Sequence, residues 1–183
     1  MQTNVIFIPK GNTEYAKEVL EATETLTPFY SRIWIPKKNT YWRKDGQFEL
    51  IRETLFPSYL FIDTEDFANL HSALQDYSYS FSKFLLGSKD EMALRTVTDE
   101  ELAWINAISG ERISEVEYIE KKVHFINGPM IGMDGFVKKV DRHKRQLMLE
   151  IEFFQRKMQI WTAFDEVAIS SDPTSTPSTP SKI

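Results

Sequence analysis

The chain contains no cysteine. That absence excludes a disulfide framework, thiolate zinc sites and thiol catalysis, and it fits a reducing cytoplasm. Histidine is also scarce: His71, His124 and His143 are the only three, and no two stand at metal-ligand spacing, so no zinc site is expected. No apolar run approaches the roughly 20 residues that span a bilayer. The opening residues Met1-Gln2-Thr3-Asn4 lead into no basic stretch followed by an apolar one, so no secretory signal is expected. There is no Gly-rich phosphate loop and no nucleophile elbow. The acidic groups Asp63/Glu65/Asp66 and Asp99/Glu100/Glu101 fall where helices are expected to begin, and the helix dipole explains them without catalysis. No catalytic residue, cofactor site or metal ligand set is therefore expected, and the chain does not read as an enzyme. Excess positive charge is missing as well. The formal net charge is −5, so any contact with nucleic acid has to come from a local basic patch.

What is present is a mixture of strand and helix signals. Residues 4–8 form a short apolar, β-branched run and read as a buried strand. Asn12 stands where it can cap a helix with Tyr15, Ala16, Val19 and Leu20 on one face, and Thr27-Pro28 ends it. Residues 29–35 read as a second strand. Lys44-Asp45-Gly46 is a turn signal between Tyr41-Trp42-Arg43 and residues 48–51, which predicts a projecting hairpin. Residues 55–62 read as a long apolar strand that tolerates Pro57 near its start. Thr64 is expected to cap a second helix that buries Phe67, Leu70 and Leu74. Residues 81–86 read as a further strand, closed by Gly87. Thr98-Asp99-Glu100-Glu101 is a capping box, and it opens a third helix with Leu102, Ile105 and Ile108 at helical spacing.

The first 110 residues thus predict an α+β sandwich, with helices on a mostly antiparallel sheet. Residues 111–121 are charged and weakly patterned, and the interdomain linker is expected there. Residues 122–170 carry no helical period. Short strands are expected at 123–126, 136–140, 146–154, 158–163 and 167–169, a pattern that fits a small five-stranded β-barrel. The Ser/Thr/Pro-rich residues 171–183 are expected to be a disordered tail.

Two segments carry a resemblance. The run from Lys122 through Asn127-Gly128-Pro129, Gly132 and Asp134-Gly135 to Lys138-Lys139-Val140-Asp141 resembles a KOW motif. In the first domain, Phe56-Pro57-Ser58-Tyr59-Leu60-Phe61-Ile62 resembles a signature strand of the NusG N-terminal (NGN) domain, and Phe84-Leu85-Leu86-Gly87 is similar to a second one. The resemblance covers roughly residues 4–170 and is to the NusG family of transcription elongation and antitermination factors. Ser58 stands where a general NusG usually has glycine. The segment from Ile35-Pro36-Lys37-Lys38 through Arg52 is more similar to specialised paralogues of the LoaP or RfaH type.

The resemblance implies roles for particular residues. Phe56, Tyr59, Phe61 and Phe84 are expected to line a hydrophobic depression for the clamp helices of the largest polymerase subunit, a helix-in-groove contact. On their own, Tyr59 and Phe61 also fit ordinary strand core. Lys10, Lys37, Lys38, Arg43 and Lys44, interleaved with Tyr41 and Trp42, fit a patch where cations meet phosphates and rings stack on bases. The resemblance implies non-template DNA or nascent RNA as its ligand. A solvated hairpin fits the same residues. Met130, Met133 and Phe154 are expected from the resemblance to form an exposed apolar surface for a small-subunit ribosomal protein (NusE) or for Rho; barrel core is the other reading, and it fits Phe154 equally well. Gly128, Gly132 and Gly135 are expected to serve the tight turns of the KOW motif.

The function implied is that of a cytoplasmic, monomeric, non-enzymatic bacterial elongation factor. It would bind RNA polymerase and promote processive antitermination, on particular operons if it is a paralogue. A general NusG-type elongation or termination factor, and a KOW RNA-binding or ribosome-associated module with no polymerase contact, remain open alternatives. RfaH-like barrels can refold into a helical hairpin. Here Gly128-Pro129 and Gly132 interrupt any helix, so strands are expected throughout residues 122–170.

Overall fold

A computed structural model describes residues 1–8, 12–74 and 95–167. The N-terminal part is built on a four-stranded sheet in the order β2-β5-β1-β6, antiparallel throughout. Its strands are β1 (Gln2–Phe7), β2 (Arg32–Trp34), β5 (Tyr59–Thr64) and β6 (Arg95–Thr96). Period-two alternation divides its side chains between two faces. Ile6, Ile33, Leu60 and Ile62 turn to a face covered by helix α1 (Thr13–Glu21) and by the helical residues 67–74 (α2). Ala16 and Leu20 of α1, with Leu70 and Leu74 of α2, complete that core. The opposite face carries Val5, Phe61 and partly buried Trp34 and Tyr59, against Trp104, Ile105 and Ile108 of helix α3 (Asp99–Ile108).

Between the sheet's strands runs a two-stranded ribbon, β3 (Lys37–Lys44) and β4 (Gln47–Thr54). Asp45 and Gly46 close it with φ of 51° and 83°. Positive φ at both central residues is the turn that matches strand twist, and Asp-Gly favours it. The C-terminal sheet holds five strands in the order β8-β7-β11-β10-β9. They are β7 (Ser114–Ile119), β8 (Lys122–Asn127), β9 (Val137–Asp141), β10 (Gln146–Phe153) and β11 (Arg156–Glu166). Only the β7–β11 pair is parallel.

Several expectations are corrected. Residues 114–119, assigned by sequence to the linker, are an interior strand of the C-terminal sheet, so the connection from α3 shrinks to residues 109–113. The predicted strand at 158–163 is part of one longer element, Arg156–Glu166; of the strand expected at 167–169 only Val167 is among the described residues, and it follows the end of that element. Residues 29–35 supply a strand only at Arg32–Trp34, after a 3-10 turn at Thr27–Phe29. Residues 55–58 lie in the approach to β5, not in it. Asp66, not Thr64, caps α2, since its carboxylate accepts from the Asn69 backbone N–H at 3.2 Å. Asn12 occupies the cap position of α1 without a side-chain cap bond, and Tyr15 is exposed. The capping box at Thr98 and Glu101 forms as expected. The expected strand at 81–86, with Phe84 and Gly87, lies outside the described residues.

Asp63, expected at a helix start, is a buried residue of β5. Its carboxylate accepts from Thr3 Oγ1 at 2.7 Å, Arg32 Nε at 2.7 Å and Trp34 Nε1 at 3.2 Å, and so ties three strands together. Removing one side of a buried polar cluster leaves the remaining donors unpaired, which costs more than the bonds contributed. Asp63→Ala is expected to destabilise the chain by about 2–3 kcal/mol in urea unfolding; a loss below about 0.5 kcal/mol, the usual surface value, would contradict this account.

Candidate polymerase and nucleic-acid surfaces

Phe56 and Phe61 are 1% and 0% exposed. They are covered by a residue the sequence did not single out, Phe153 at the end of β10. Its ring stacks on Phe56 at 4.7 Å and lies near-parallel to Phe61 at 6.3 Å. Tyr59 and Trp104 meet it edge-on at 6.0 and 5.7 Å. The four N-terminal rings thus form a box, and Phe153 fills it. One hydrophobic core runs from Phe56, Phe61 and Trp104 into Leu147, Leu149 and Ile151 of the C-terminal sheet.

The tip that delivers Phe153 is a two-residue turn, Phe154-Gln155, with φ of 48° and 62°. Neither residue is glycine, so the turn is held in a disfavoured backbone region. A specific bond supports it. The Phe154 N–H donates to Glu101 Oε1 at 2.7 Å, while Glu101 Oε2 accepts from the Thr98 N–H at 2.9 Å. A single carboxylate therefore caps α3 and anchors the tip.

The basic-aromatic set divides in two. Lys38 Nζ donates to Thr40 Oγ1 at 3.2 Å, Glu53 Oε2 at 3.1 Å and the Trp161 carbonyl at 2.8 Å, which uses all three of its protons. Tyr41 Oη donates to Asp165 Oδ1 at 2.8 Å. Both residues therefore hold β3 against β11, as does Thr162 Oγ1 on the Asn39 carbonyl, while Gln146 Nε2 of β10 donates to the Tyr41 carbonyl. Lys37 pairs with Glu14 at 3.0 Å. Trp42 is 57% exposed, and Arg43 and Lys44 at the ribbon tip are exposed too. Lys10 lies outside the described residues.

The register fixes which of these share a face. Tyr41 pairs with Leu50 and Arg43 with Phe48, so those four stand together, while Trp42, opposite Glu49, stands on the other face. The Tyr41 and Phe48 rings meet edge-on at 5.8 Å, and the Arg43 guanidinium lies 5.9 Å from the Phe48 ring. Arg145 of the C-terminal sheet sits 5.5 Å from the Tyr41 ring and 5.5 Å from the Phe48 ring.

The expected exposed patch of methionines is corrected. Met130 and Met133 are 3% and 5% exposed and belong to the core. The 3-10 turn Asp134–Phe136 fastens their loop to β8, because Asp134 Oδ1 accepts from the Phe125 N–H at 2.7 Å. Phe154 is partly buried and packs on Phe153 at 4.2 Å. Gly128 is required by close approach: a Cβ there would lie 2.6 Å from Ser114 Cα. Gly132 has φ of 87°, a conformation open to glycine. Gly135 meets no neighbour and its φ is not left-handed, so nothing in its surroundings demands glycine. Among the described residues no three His, Asp or Glu side chains gather where they could hold a metal, and no helix is long and apolar enough to cross a membrane.

A helix-covered antiparallel sheet, joined through a short connection to a five-stranded sheet that packs back on it, defines a NusG-like α/β fold. Among solved structures it is shared by Thermotoga maritima NusG, in a structure described for its domain interaction. That chain is 19% identical, with a TM-score of 0.54, and the match covers 88% of this chain and 93% of that one. No family model matches the sequence. No curated protein matches it.

Burial pushes the Tyr41 phenol up to about 12, and the Asp165 carboxylate that accepts its proton adds to the shift. Arg145 offsets part of it. Because the raised value belongs to the folded chain, the protonated phenol is the stabilising form. Its contribution is complete below the ordinary value of 10.0 and is lost as pH rises through about 12. In a tyrosinate absorbance titration, the difference between the wild type and Tyr41→Phe is expected to show a midpoint near 12. Asp165→Asn should lower that midpoint. A Tyr41 midpoint at the ordinary value in the folded chain would show that the contact to Asp165 is not made.

Proposed function

We propose that this chain is a transcription elongation factor of the NusG type that acts by binding and makes no covalent change. The observation that carries the reading is the aromatic box formed by Tyr59 and Phe61 of β5 with Phe56 before it and Trp104 of α3. Its first three residues are those that the NGN-like strand assigns to the polymerase clamp helices. A concave cluster of rings that already accepts a phenylalanine suits the apolar ridge of a helix. The NusG-like fold supports the same reading. By holding the clamp closed, the factor would disfavour the swivelled states that lead to pausing and termination. That is a population shift driven by tighter binding to the closed form.

The long β3–β4 ribbon favours a specialised antitermination factor over a general one. It projects Trp42, Arg43 and Lys44 into solvent beyond the sheet, where they can meet nascent RNA or non-template DNA. Recruitment of NusE or Rho through Met130 and Met133 is no part of this proposal, since both are core residues. In the docked arrangement Phe153 occupies the place offered to the clamp helices, so the box has to be vacated before polymerase is bound.

Binding to a clamp-helix fragment of the largest polymerase subunit tests this reading. The wild-type chain is expected to bind weakly, Phe153→Ala about tenfold or more tightly, and Phe153→Ala/Tyr59→Ala weakly again. The tenfold figure is a floor, because truncating a buried Phe typically removes about 3 kcal/mol. A folded Phe153→Ala variant with no measurable affinity at high concentration would remove the polymerase reading.

A further inference from the structure

The connection from α3 to β7, residues 109–113, is neither helix nor strand, and Glu111 and Arg112 within it are exposed. Such a segment ordinarily turns its carbonyls to water. Here the β3–β4 ribbon takes them up. Asn39 of β3 stands opposite Arg52 of β4, so the two side chains share one face of the ribbon. Asn39 Nδ2 donates to the Gly110 carbonyl at 3.0 Å and lies 3.4 Å from the carbonyls of both Glu111 and Arg112. One terminal nitrogen of Arg52 donates to the Ser109 carbonyl at 2.7 Å and to the Lys37 carbonyl at 3.2 Å. The other stands 3.9 Å from Glu111 Oε1. Two side chains thus meet every carbonyl from Ser109 to Arg112.

Each contact has a reason in its surroundings. Ser109 closes α3, where the last carbonyls have no partner inside the helix and the dipole favours a cation. Arg52 supplies the cation and the donor together. Asn39 is 3% exposed, and its Oδ1 has no hydrogen-bond partner among the described residues. A buried amide left half-satisfied is unfavourable, so what the residue contributes is its donation to the connection. The connection is closely packed as well: a Cβ on Gly110 would lie 2.7 Å from Pro129 Cγ. None of these bonds passes through β10 or β11.

We infer that Asn39 and Arg52 form a clamp that turns the connection from a tether into a fixed joint, and that this clamp, seated on the end of α3, sets the direction in which the β3–β4 ribbon projects. Among the described strands β3 and β4 pair only with each other, and an isolated two-stranded ribbon is marginally stable in water. The ribbon needs an anchor at its root, and the clamp supplies one from the N-terminal part itself. Trp42, Arg43 and Lys44 near the tip are then held at one angle to α3. The Asn39 amide is the specific element, since aspartate has the same shape but no N–H to give. At the other position lysine keeps the charge of Arg52 but not its planar fork.

Limited trypsin digestion of the full chain tests the clamp. The cut after Arg112 and the cut after Lys121, in the β7–β8 turn, are followed separately by mass; both residues are exposed. Cleavage of a folded chain tracks how often the cut segment opens. Asn39→Asp is expected to speed the cut after Arg112 about tenfold, the order of effect of losing a buried hydrogen bond, and to leave the cut after Lys121 unchanged. Unchanged cleavage after Arg112 overturns the inference. So does equal acceleration at both sites, which would mean a general loss of stability with no local joint. If Asn39→Asp fails to fold, Arg52→Lys carries the test, because that side chain is partly exposed. Faster cleavage after Arg112 alone is expected there, and an unchanged rate overturns the clamp.

Discussion

The stacking of Phe153 on Phe56 is the contact on which the rest of the arrangement depends. A buried aromatic ring removes about 150–250 Å² from water. Here one ring from the C-terminal sheet meets Phe56, Tyr59, Phe61 and Trp104 of the N-terminal part. Withdrawing it would expose the floor of that box as well as the ring. An open state is therefore costly unless something else fills the space. The polar contacts around it act differently. Glu101, Lys38 and Tyr41 contribute little through net hydrogen-bond energy, but they fix how the β10–β11 pair of the C-terminal sheet docks. Glu101 is the economical case, since its two oxygens serve a helix cap and the tip turn at once.

This arrangement gives the proposed factor its mode of action. One ribbon of the C-terminal sheet packs on both the aromatic box and the Tyr41 side of the β3–β4 ribbon. A ligand that prefers the open form shifts the equilibrium only by its difference in affinity for the two forms.

Much of the N-terminal part was legible in the sequence because its signals are local. Asp45-Gly46 marked its hairpin, and Thr98 with Glu101 marked the start of α3. Other turns were not legible. Glu120-Lys121 and Phe154-Gln155 both close two-residue hairpins with positive φ, yet neither holds Gly or Asn. Without the first of these turn signals, the alternation of Glu115, Val116, Glu117 and Tyr118 read as a charged linker when it is an interior strand. The site was harder still. Phe56, Tyr59 and Phe61 were found through a resemblance, but what covers them comes from residues about a hundred positions away. Trp104 stands beside the Leu102-Ile105-Ile108 stripe and no local signal sets it apart, although it forms a wall of the box. Phe153 and Phe154 are adjacent in β-type sequence, and only the tip turn decides which ring is inserted. The methionines misled for a related reason. Met130 and Met133 sit in a glycine-rich loop, which reads as exposed until Asp134 is seen to fold it down on β8.

The most direct test of the docked arrangement is a solution measurement of through-space proton contacts in the full chain, with Phe labelled selectively against Trp and Tyr. Cross-peaks from the Phe153 ring to the Phe56 ring and the Trp104 indole are predicted, since those centroids stand 4.7 and 5.7 Å apart. Their absence from a folded chain, with the C-terminal sheet tumbling independently, would contradict the account at its centre.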